Sequence, residues 1–337
     1  MSLRTLIERL LQLVPVLLGV TLVAFLMMAF TPGDPVEIMI GNDEHVTPEQ
    51  IERMRRDLGL HLPLHERYFH YVANAVTGDF GLSFYHRRPV SEVLFERLPA
   101  TIELAIASLL VALAIAVPAG MIAAVRRGSI FDRVVTTISV AGVAIPNFFL
   151  GIVLIMFFAV NLGWLPVSGQ TPSGLNIPRV TGFLLVDSLL WGRPDAFVEV
   201  LRHLVLPAVT LGTGLSALLM RVTRTSMIET LQQDYVAFAV AKGLSPRRVL
   251  FAHALRNALI PLVTVIAIDL GSLLSGSIIT ETIFSWPGVG RVLIEGVTTR
   301  NYPLVQTAVL MFAVIYILAN FLADILYVVL NPRIRLK

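Results

Sequence analysis

The clearest candidate for chemistry in this chain is Asp269, a carboxylate inside the apolar segment VIAIDLGS at 265–272. A charge surrounded by apolar residues is costly unless water, a partner or a ligand compensates it, so Asp269 is a candidate functional group. Ser272 and Ser275 follow it in a segment of small residues. Two interpretations stay open. Either Asp269, Ser272 and Ser275 line a polar pathway, or Asp269 pairs with a neighbouring helix that the small residues allow to pack closely.

The other polar residues of the apolar segments are expected to have structural roles. Glu103 and Glu281 lie near the ends of such segments and Asp324 lies within one. We predict that these carboxylates reach towards water or bond to a neighbouring helix. Asn147 follows Pro146, where a break in a helix would free a backbone carbonyl that the amide could satisfy. Asp269 is therefore the residue that the sequence singles out.

Several kinds of chemistry have no signature in the sequence. A P-loop needs a lysine after a glycine, whereas the only lysines are Lys242, which follows an alanine, and Lys337. Energy for an active process must then come from another chain or from an ion gradient. The chain has no cysteine and no HExxH or GxSxG motif, and Pro63 between His61 and His65 argues against a helical metal site. We expect no enzymatic activity, metal or cofactor on this chain.

The composition places the chain in a lipid bilayer. Its 337 residues are 55% hydrophobic and only 15% charged, and the mean hydropathy of +0.77 is high for a soluble domain. A helix needs about 20 apolar residues to cross the hydrocarbon layer. Six segments meet this requirement, at residues 10–30, 102–125, 134–160, 204–220, 258–284 and 304–330. The predicted fold class is an all-α membrane protein with six transmembrane helices.

The distribution of basic residues predicts the orientation of these helices. With six spans, both termini share one side. Lysine and arginine are denser in the loops on that side than in the two long loops at 31–100 and 163–203, which places the termini in the cytoplasm. The pI of about 9.4 then reflects topology and not nucleic-acid binding. Residues 1–9 form the cytoplasmic N-terminus, and the run after them lacks a small-residue cleavage site, so we expect a retained anchor.

The two long external loops are predicted to be partly folded. In 31–100, Thr47 and Gln50 have the spacing of a capping box that begins a helix, and a second helix is expected at 64–76. The sequence DFGLSFY at 79–85 indicates a turn into a short strand. The other long loop is rich in proline and glycine and carries tryptophans able to lie at the membrane surface.

A basic, alanine-rich loop separates the fourth and fifth apolar segments, with the sequence DYVAFAVAKGLSPRRVLFAHALRNALIP at 234–261. Gly243 is predicted to end a short helix in the left-handed conformation, and Ser245 and Pro246 to begin another. Its basic residues indicate the cytoplasmic side. Small residues permit the close approach of another protein. The candidate docking residues are Ala237, Ala239, Ala241, Lys242, Gly243, Ser245, Arg247 and Arg248.

This loop resembles the EAA loop of ABC importer permeases, the element on which the ATPase subunit docks. Its HALRNA sequence at 253–258 is similar to the peptide and nickel branch of that family. The resemblance to the first permease subunit of dipeptide and oligopeptide importers extends over nearly the whole chain. The motifs that carry it are TPGDP at 31–35, GDFGLS at 78–83, LPAT at 98–101, TETIFSWPGVG at 280–290 and NPRIR at 331–335. Their prolines and glycines are expected to end helices at the membrane interface.

The resemblance implies a type I importer fold, with helix 1 at 10–30, an external insertion at 31–100, a permease core at 101–337 and a docking loop at 227–256. It implies transport of dipeptides or short peptides across a bacterial inner membrane. The implied partners are a second homologous permease in a heterodimer, two cytoplasmic ATPase subunits that bind ATP and Mg, and a periplasmic substrate-binding protein. Closure of the ATPases would push on the docking loop and switch the pore between inward and outward openings.

Other cargoes and another class of transporter stay open. Relatives with the same architecture carry glutathione, nickel chelates or oligopeptides. A secondary transporter would also be polytopic and lack a P-loop, but it would more often show internal repeats and interrupted helices. An intramembrane hydrolase would need paired catalytic groups within the spans, and only isolated carboxylates occur there.

Overall fold

The computed structural model describes residues 3–30, 36, 40, 47–57 and 59–330. Within these residues the chain is helical, and its only β pairing is an isolated bridge between Leu82 and Pro89. The strand predicted at 79–85 is therefore wrong. The chain reverses too tightly for a strand to extend, because Arg87 donates its N–H to the Ser83 carbonyl at 2.8 Å and Ser83 donates to the Arg88 carbonyl at 2.9 Å.

The described residues form fourteen α-helices and two π-helical segments. The first seven are α1 (Leu3–Ala29), α2 (Pro48–Asp57), α3 (Leu64–Thr77), α4 (Val90–Val125), α5 (Ile130–Ala144), α6 (Asn147–Leu154) and α7 (Leu184–Leu190). The others are α8 (Pro194–Leu231), α9 (Asp234–Ala241), α10 (Pro246–Arg248), α11 (Arg256–Gly276), α12 (Ile278–Ile283), α13 (Val289–Thr298) and α14 (Tyr302–Leu330). The π-helical segments are Ile155–Asn161, which continues α6, and Val249–Leu255, which joins α10 to α11.

Four described helical stretches are long and apolar enough to cross a membrane, at Val90–Val125, Pro194–Leu231, Pro246–Ile266 and Tyr302–Leu322. The pair Ile130–Ala144 and Asn147–Asn161 makes a fifth if it is counted as one span. In α1 the apolar stretch Val14–Ala29 is shorter than a full span over its described residues. The predicted multi-span helical architecture is confirmed. Among the described residues, length and apolar composition identify four or five membrane spans, and not all six that were predicted.

The third predicted span, at 134–160, is not a single rod, because α5 and α6 meet at an angle of 102°. Ile145 has extended backbone angles (φ −82°, ψ 120°) and Pro146 follows it. A proline disfavours the helical conformation of the residue before it, which explains the position of the break. The fifth predicted span likewise ends early, at Gly276, and restarts as α12 after Ser277.

Helices α4 and α8 form the most extensive helix pair of the described chain. Two glycines allow their backbones to approach. A Cβ atom on Gly120 would lie 2.8 Å from the Met220 carbonyl oxygen, and one on Gly212 would lie 2.7 Å from that of Ser108. Pro99 lies inside α4, so the expected helix end at LPAT is wrong. The helix continues through the proline, and the next residue, Ala100, is buried in a core cluster with Trp286, whose indole N–H donates to the Ala100 carbonyl.

The external insertion at 31–100 is partly folded, as predicted. Thr47 and Gln50 form the capping box at the start of α2, with Thr47 N to Gln50 Oε1 at 2.8 Å. Gly78, at φ +81°, ends α3. The hydroxyl of Tyr68 in α3 donates to the Leu18 carbonyl at 2.9 Å, which fastens the insertion to α1.

The insertion at 163–203 is organised around two buried carboxylates. Glu103 of α4 accepts hydrogen bonds from Gln170 Nε2 and from the N–H of Leu185, both at 2.8 Å. Asp187 accepts N–H bonds from the 180–182 segment, including Thr181 N at 2.9 Å. Burial raises the pKa of the Asp187 carboxyl, but these donors outweigh it and hold the pKa below its usual value. The predicted interhelical or structural role of Glu103 is confirmed, and it does not extend into water.

Candidate docking loop and membrane cleft

The loop after α8 folds into the corner that its sequence predicts. Helix α9 ends at Ala241, Gly243 has φ +79°, and α10 begins at Pro246. Ser245 occupies the N-cap position with φ −60° and ψ 145°, although its hydroxyl makes no capping bond. A side chain with a Cβ would be strained at Gly243, so the corner depends on this glycine.

Seven of the eight candidate docking residues face outward. They are Ala237, Ala241, Lys242, Gly243, Ser245, Arg247 and Arg248. Ala239 differs, because it is 6% exposed and packs in a small core with Val236 and Val249. Ala239 therefore shapes the loop from inside, where a larger side chain would disturb the fold of the loop itself.

The surface of the loop is more apolar than its alanine-rich sequence suggests. Phe238 is 61% exposed and Val240 is 59% exposed. The ammonium of Lys242 lies 4.5 Å from the centre of the Phe238 ring. Exposed apolar patches mark interaction sites, and aromatic residues and arginine are enriched at protein–protein interfaces. The predicted docking residues did not include Phe238, although an aromatic residue in a basic loop could have indicated the interface from the sequence.

The loop is fastened to the membrane helices through the π-helical segment Val249–Leu255. Ala254 in this segment is fully buried and packs with Ala124 of α4 and Met227 of α8. The side-chain amide of Asn257 donates to the Tyr235 hydroxyl at 2.8 Å and to the His253 carbonyl at 3.0 Å. The loop and the long helices therefore form one packed unit.

An ion pair lies at the end of α8 nearest the loop. Arg224 Nη2 donates to Asp132 Oδ2 at 2.9 Å, and Arg224 Nε contacts Asp132 Oδ1. The Gly128 N–H donates to the same carboxylate at 2.9 Å, and Ser129 caps the start of α5. Sequence reasoning missed this pair because 92 residues separate its members.

Asp269 lies in a cleft of about 510 Å³ between α5, α8 and α11. The side chain is half-buried, and its Oδ2 atom is buried without a hydrogen-bond partner. Among the described residues it makes no ion pair, so the predicted pairing with a neighbouring helix finds no support in the described chain. The side chains of Ser272 and Ser275 lie outside the described residues.

Asn147, at the start of α6, also lines this cleft. A Cβ atom on Gly214 of α8 would lie 2.5 Å from Asn147 Oδ1, so the absence of a side chain there makes room for the amide. No hydrogen bond joins the amide to a backbone carbonyl in the described chain, which does not support the role predicted for it. Its position on the cleft wall follows from the bend at Pro146.

Beyond the C-terminal end of α11, Glu281 of α12 joins three helices. Its carboxylate is 1% exposed. It accepts hydrogen bonds from Thr101 Oγ1 of α4 at 2.9 Å, from Ser277 Oγ at 3.1 Å and from the N–H of Arg291 in α13 at 3.0 Å. A carboxylate at the N-terminus of α13 also interacts favourably with the helix dipole. Interhelical bonding was predicted for Glu281 and is confirmed.

The motif at 280–290 is explained by this arrangement. A Cβ atom on Gly290 would lie 2.9 Å from Glu281 Oε2, so the carboxylate can approach α13 only where glycine stands. Trp286 is fully buried and its indole N–H donates to the Ala100 carbonyl at 2.8 Å. The Val289 N–H donates to Thr101 Oγ1 at 2.9 Å. We refer to Thr101, Ser277, Glu281 and the N-terminus of α13 as the Glu281 network.

Replacing Glu281 with glutamine should destabilise the protein. The amide puts an N–H₂ group where an oxygen accepts from N–H and O–H donors, so buried donors lose their acceptor at a cost of about 1–3 kcal/mol. We expect Glu281→Gln to lower the thermal unfolding temperature of the purified protein. Glu199→Gln is the control, since Glu199 forms a half-exposed pair with Arg202 and should change little. Equal stability of Glu281→Gln and the control would contradict a structural role.

Comparisons with known proteins agree with this architecture. Residues 116–336 match the family model for the inner membrane component of binding-protein-dependent transport systems, and residues 2–105 match the model for the N-terminal part of such membrane components. The di/tripeptide transport system permease protein DppB of Pseudomonas aeruginosa is 48% identical over 328 residues, covering 97% of each chain. The dipeptide transport system permease protein DppB of Escherichia coli is 43% identical over 99% of each chain.

Two further similarities extend the comparison. The glutathione transport system permease protein GsiC of Escherichia coli is 41% identical over 98% of each chain. A solved structure of the MetNI methionine ABC transporter in an inward-facing conformation has a chain that matches with a TM-score of 0.54 and 18% identity, covering 72% of this chain and 97% of that one. This similarity supports the type I importer fold. The chain belongs to the family of inner-membrane components of binding-protein-dependent transport systems, the multi-pass permease subunits of ABC importers.

Proposed function

We propose that this chain is the permease subunit of an ATP-driven importer that moves dipeptides or short peptides across the bacterial cytoplasmic membrane. The observation that carries the proposal is its identity of 43–48%, over almost its whole length, to permeases named for dipeptide or di/tripeptide transport. Glutathione is the second candidate cargo, because a permease named for it is 41% identical. Glutathione is itself a short peptide, so both candidates share one cargo chemistry.

The chain is the pore and not the enzyme. ATP and Mg are bound and ATP is hydrolysed by two partner ATPase subunits, while this chain holds no cofactor. Its lysines, Lys242 and Lys337, do not stand in a P-loop, which supports this division. A periplasmic substrate-binding protein delivers the cargo, as the family description of binding-protein-dependent transport implies.

A second, homologous permease completes the pore as a heterodimer. The support for this partner is that the α5 wall of the Asp269 cleft carries exposed apolar side chains. Val140 is 62% exposed and Val143 is 65% exposed. A second permease would cover this face and close the cleft into a pathway lined by Asp269 and, as the sequence suggests, by Ser272 and Ser275.

The ATPase docks on the corner between α9 and α10. Its exposed residues Phe238, Lys242 and Arg247 supply an apolar centre with cations beside it, which suits a partner surface with a hydrophobic pocket and acidic groups. Because Ala254 packs this corner against α4 and α8, a push on the loop moves the long helices as a rigid body.

Substitutions at the corner should separate the permease from its ATPase. Gly243→Val is strained at φ +79°, at a cost of about 1–3 kcal/mol in this backbone region, and Ala237→Trp places a bulky ring on the exposed face. We expect both variants to insert in the membrane but to lose ATPase co-purification and transport. Ala239→Trp is less informative, because this residue is buried within the loop.

Ala73→Trp is the matched control, since Ala73 is an exposed alanine on α3 in the external insertion. This variant should retain its ATPase partner. Co-purification of Gly243→Val and Ala237→Trp at the level of this control would refute the docking assignment.

The proposed orientation has both termini and the docking loop in the cytoplasm, and the insertion at 163–203 outside. The chain has no cysteine, so single cysteines can report on it. Gly174→Cys and Ser245→Cys both lie at exposed turns. An impermeant thiol reagent added to intact cells should label the first and not the second. The reverse pattern would invert the topology.

A further inference from the structure

Two opposite charges line the Asp269 cleft without meeting each other. Asp269 belongs to α11 and Arg221 to α8, and both side chains contribute to the cleft wall. Neither forms an ion pair or hydrogen bond with any described residue. Asp132 and Arg224, also near the membrane helices, differ in this respect because they form an ion pair with each other.

The antiparallel directions of α8 and α11 bring the side chains of Arg221 and Asp269 towards each other within the cleft. The helices run antiparallel, because Leu262 of α11 shares a core cluster with Leu219 and Met220 of α8, whereas Leu273 packs against the cluster that contains Leu211. Every Cα–Cβ bond of an α-helix tilts towards the helix N-terminus, and long side chains lean the same way. Arg221 therefore leans towards the level of Asp269, and Asp269 leans towards the level of Arg221.

The remaining wall offers no competing charge among the described residues. It consists of apolar and small side chains, including Val143, Gly214 and Leu218, with the Asn147 amide at the bend. The Ser139 hydroxyl on this wall already donates to the Val135 carbonyl at 2.8 Å. A solute entering the cleft thus meets one carboxylate, one guanidinium and otherwise neutral surface.

We propose that this cleft recognises its cargo by the two terminal charges of a short zwitterionic peptide, with Asp269 binding the α-ammonium and Arg221 the α-carboxylate. The inference rests on the proposed transport function and assigns the cargo contacts within it. In an extended dipeptide these charges are about 6 Å apart, since one Cα–Cα step of about 3.8 Å separates the two residues. Such a molecule can bridge a carboxylate and a guanidinium that do not pair directly.

The arrangement suits transport as well as recognition. A charge in a half-buried cleft is unfavourable until an opposite charge compensates it, so the cleft favours a cargo with both charges. Arg221 is exposed, which keeps its attraction weak enough for release. Guanidinium and carboxylate geometry also match in a two-point hydrogen bond.

The test measures occupancy of the cleft in the assembled transporter. The binding protein is left out, so that its own selectivity does not contribute to the result. Leu218 lines the cleft, so Leu218→Cys places a single thiol in this cysteine-free chain. The rate at which a thiol reagent labels that cysteine is measured with a free dipeptide, its C-terminal amide and its N-acetyl form. We expect the free dipeptide to slow labelling at least about threefold at saturation, and the capped forms to protect much less, because each loses a charge-assisted hydrogen bond.

Charge-removing variants then assign the two contacts. Adding Arg221→Gln should abolish protection by the free dipeptide, and so should adding Asp269→Asn, while labelling without peptide stays the same. Arg221→Lys keeps the charge and should retain part of the protection. Arg202→Gln is the control, because Arg202 lies on the same helix outside the cleft and pairs with Glu199.

Three outcomes of the labelling experiment would overturn the inference. They are equal protection by free and capped dipeptides, no protection by any of them, and full protection in the charge-removing variants. A loss of heterodimer assembly in Asp269→Asn would also overturn it and assign Asp269 to the partner permease. If the wild-type complex transports dipeptides while any of these results holds, the inference fails and the proposed function stands. If the complex transports none, the proposed function itself fails.

Discussion

A carboxylate that is 1% exposed, such as that of Glu281, is compatible with a stable fold only if surrounding donors replace the water it has lost. Thr101, Ser277 and the N-terminus of α13 supply those donors. Their geometry fixes how α4, α12 and α13 meet, because each donor belongs to a different part of the chain. The tight approach to Gly290 leaves little freedom in this arrangement.

The Glu281 network also determines one end of the cleft. Ser277 donates to Glu281 and at the same time lines the cleft that contains Asp269. The chain runs from Pro246 to Gly276 as a continuous helical segment, so it connects the corner between α9 and α10, Asp269 and the Glu281 network. Movement imposed at the corner would reach the cleft through this segment, with the network holding its far end. A continuous helical segment between a corner that moves and a network that holds suits the switching that the proposed function requires.

Local features were predictable from the sequence because neighbouring residues determine them. Gly243 adopts its left-handed conformation, Gly78 ends α3 and Thr47 with Gln50 forms a capping box, all as expected. Each depends on backbone preferences within a few residues. Apolar length likewise predicted most of the membrane helices.

Features that depend on distant residues were not predictable. Pro99 and Pro146 have similar local signals, yet α4 continues through the first and the chain bends by 102° at the second. Packing against other helices decides between these outcomes. The shared cleft of Arg221 and Asp269 and the burial of Ala239 also follow from tertiary contacts, which periodicity and composition do not contain.

The central claim is that this chain forms a pore whose cargo movement is driven by ATP hydrolysis on partner subunits. The most direct measurement is uptake of a labelled dipeptide into proteoliposomes that contain the assembled transporter, with binding protein outside and ATP inside. The account predicts accumulation that requires ATP and the ATPase subunits and that persists when ionophores remove all ion gradients. Accumulation without ATP that ionophores abolish would contradict the account and identify a secondary transporter.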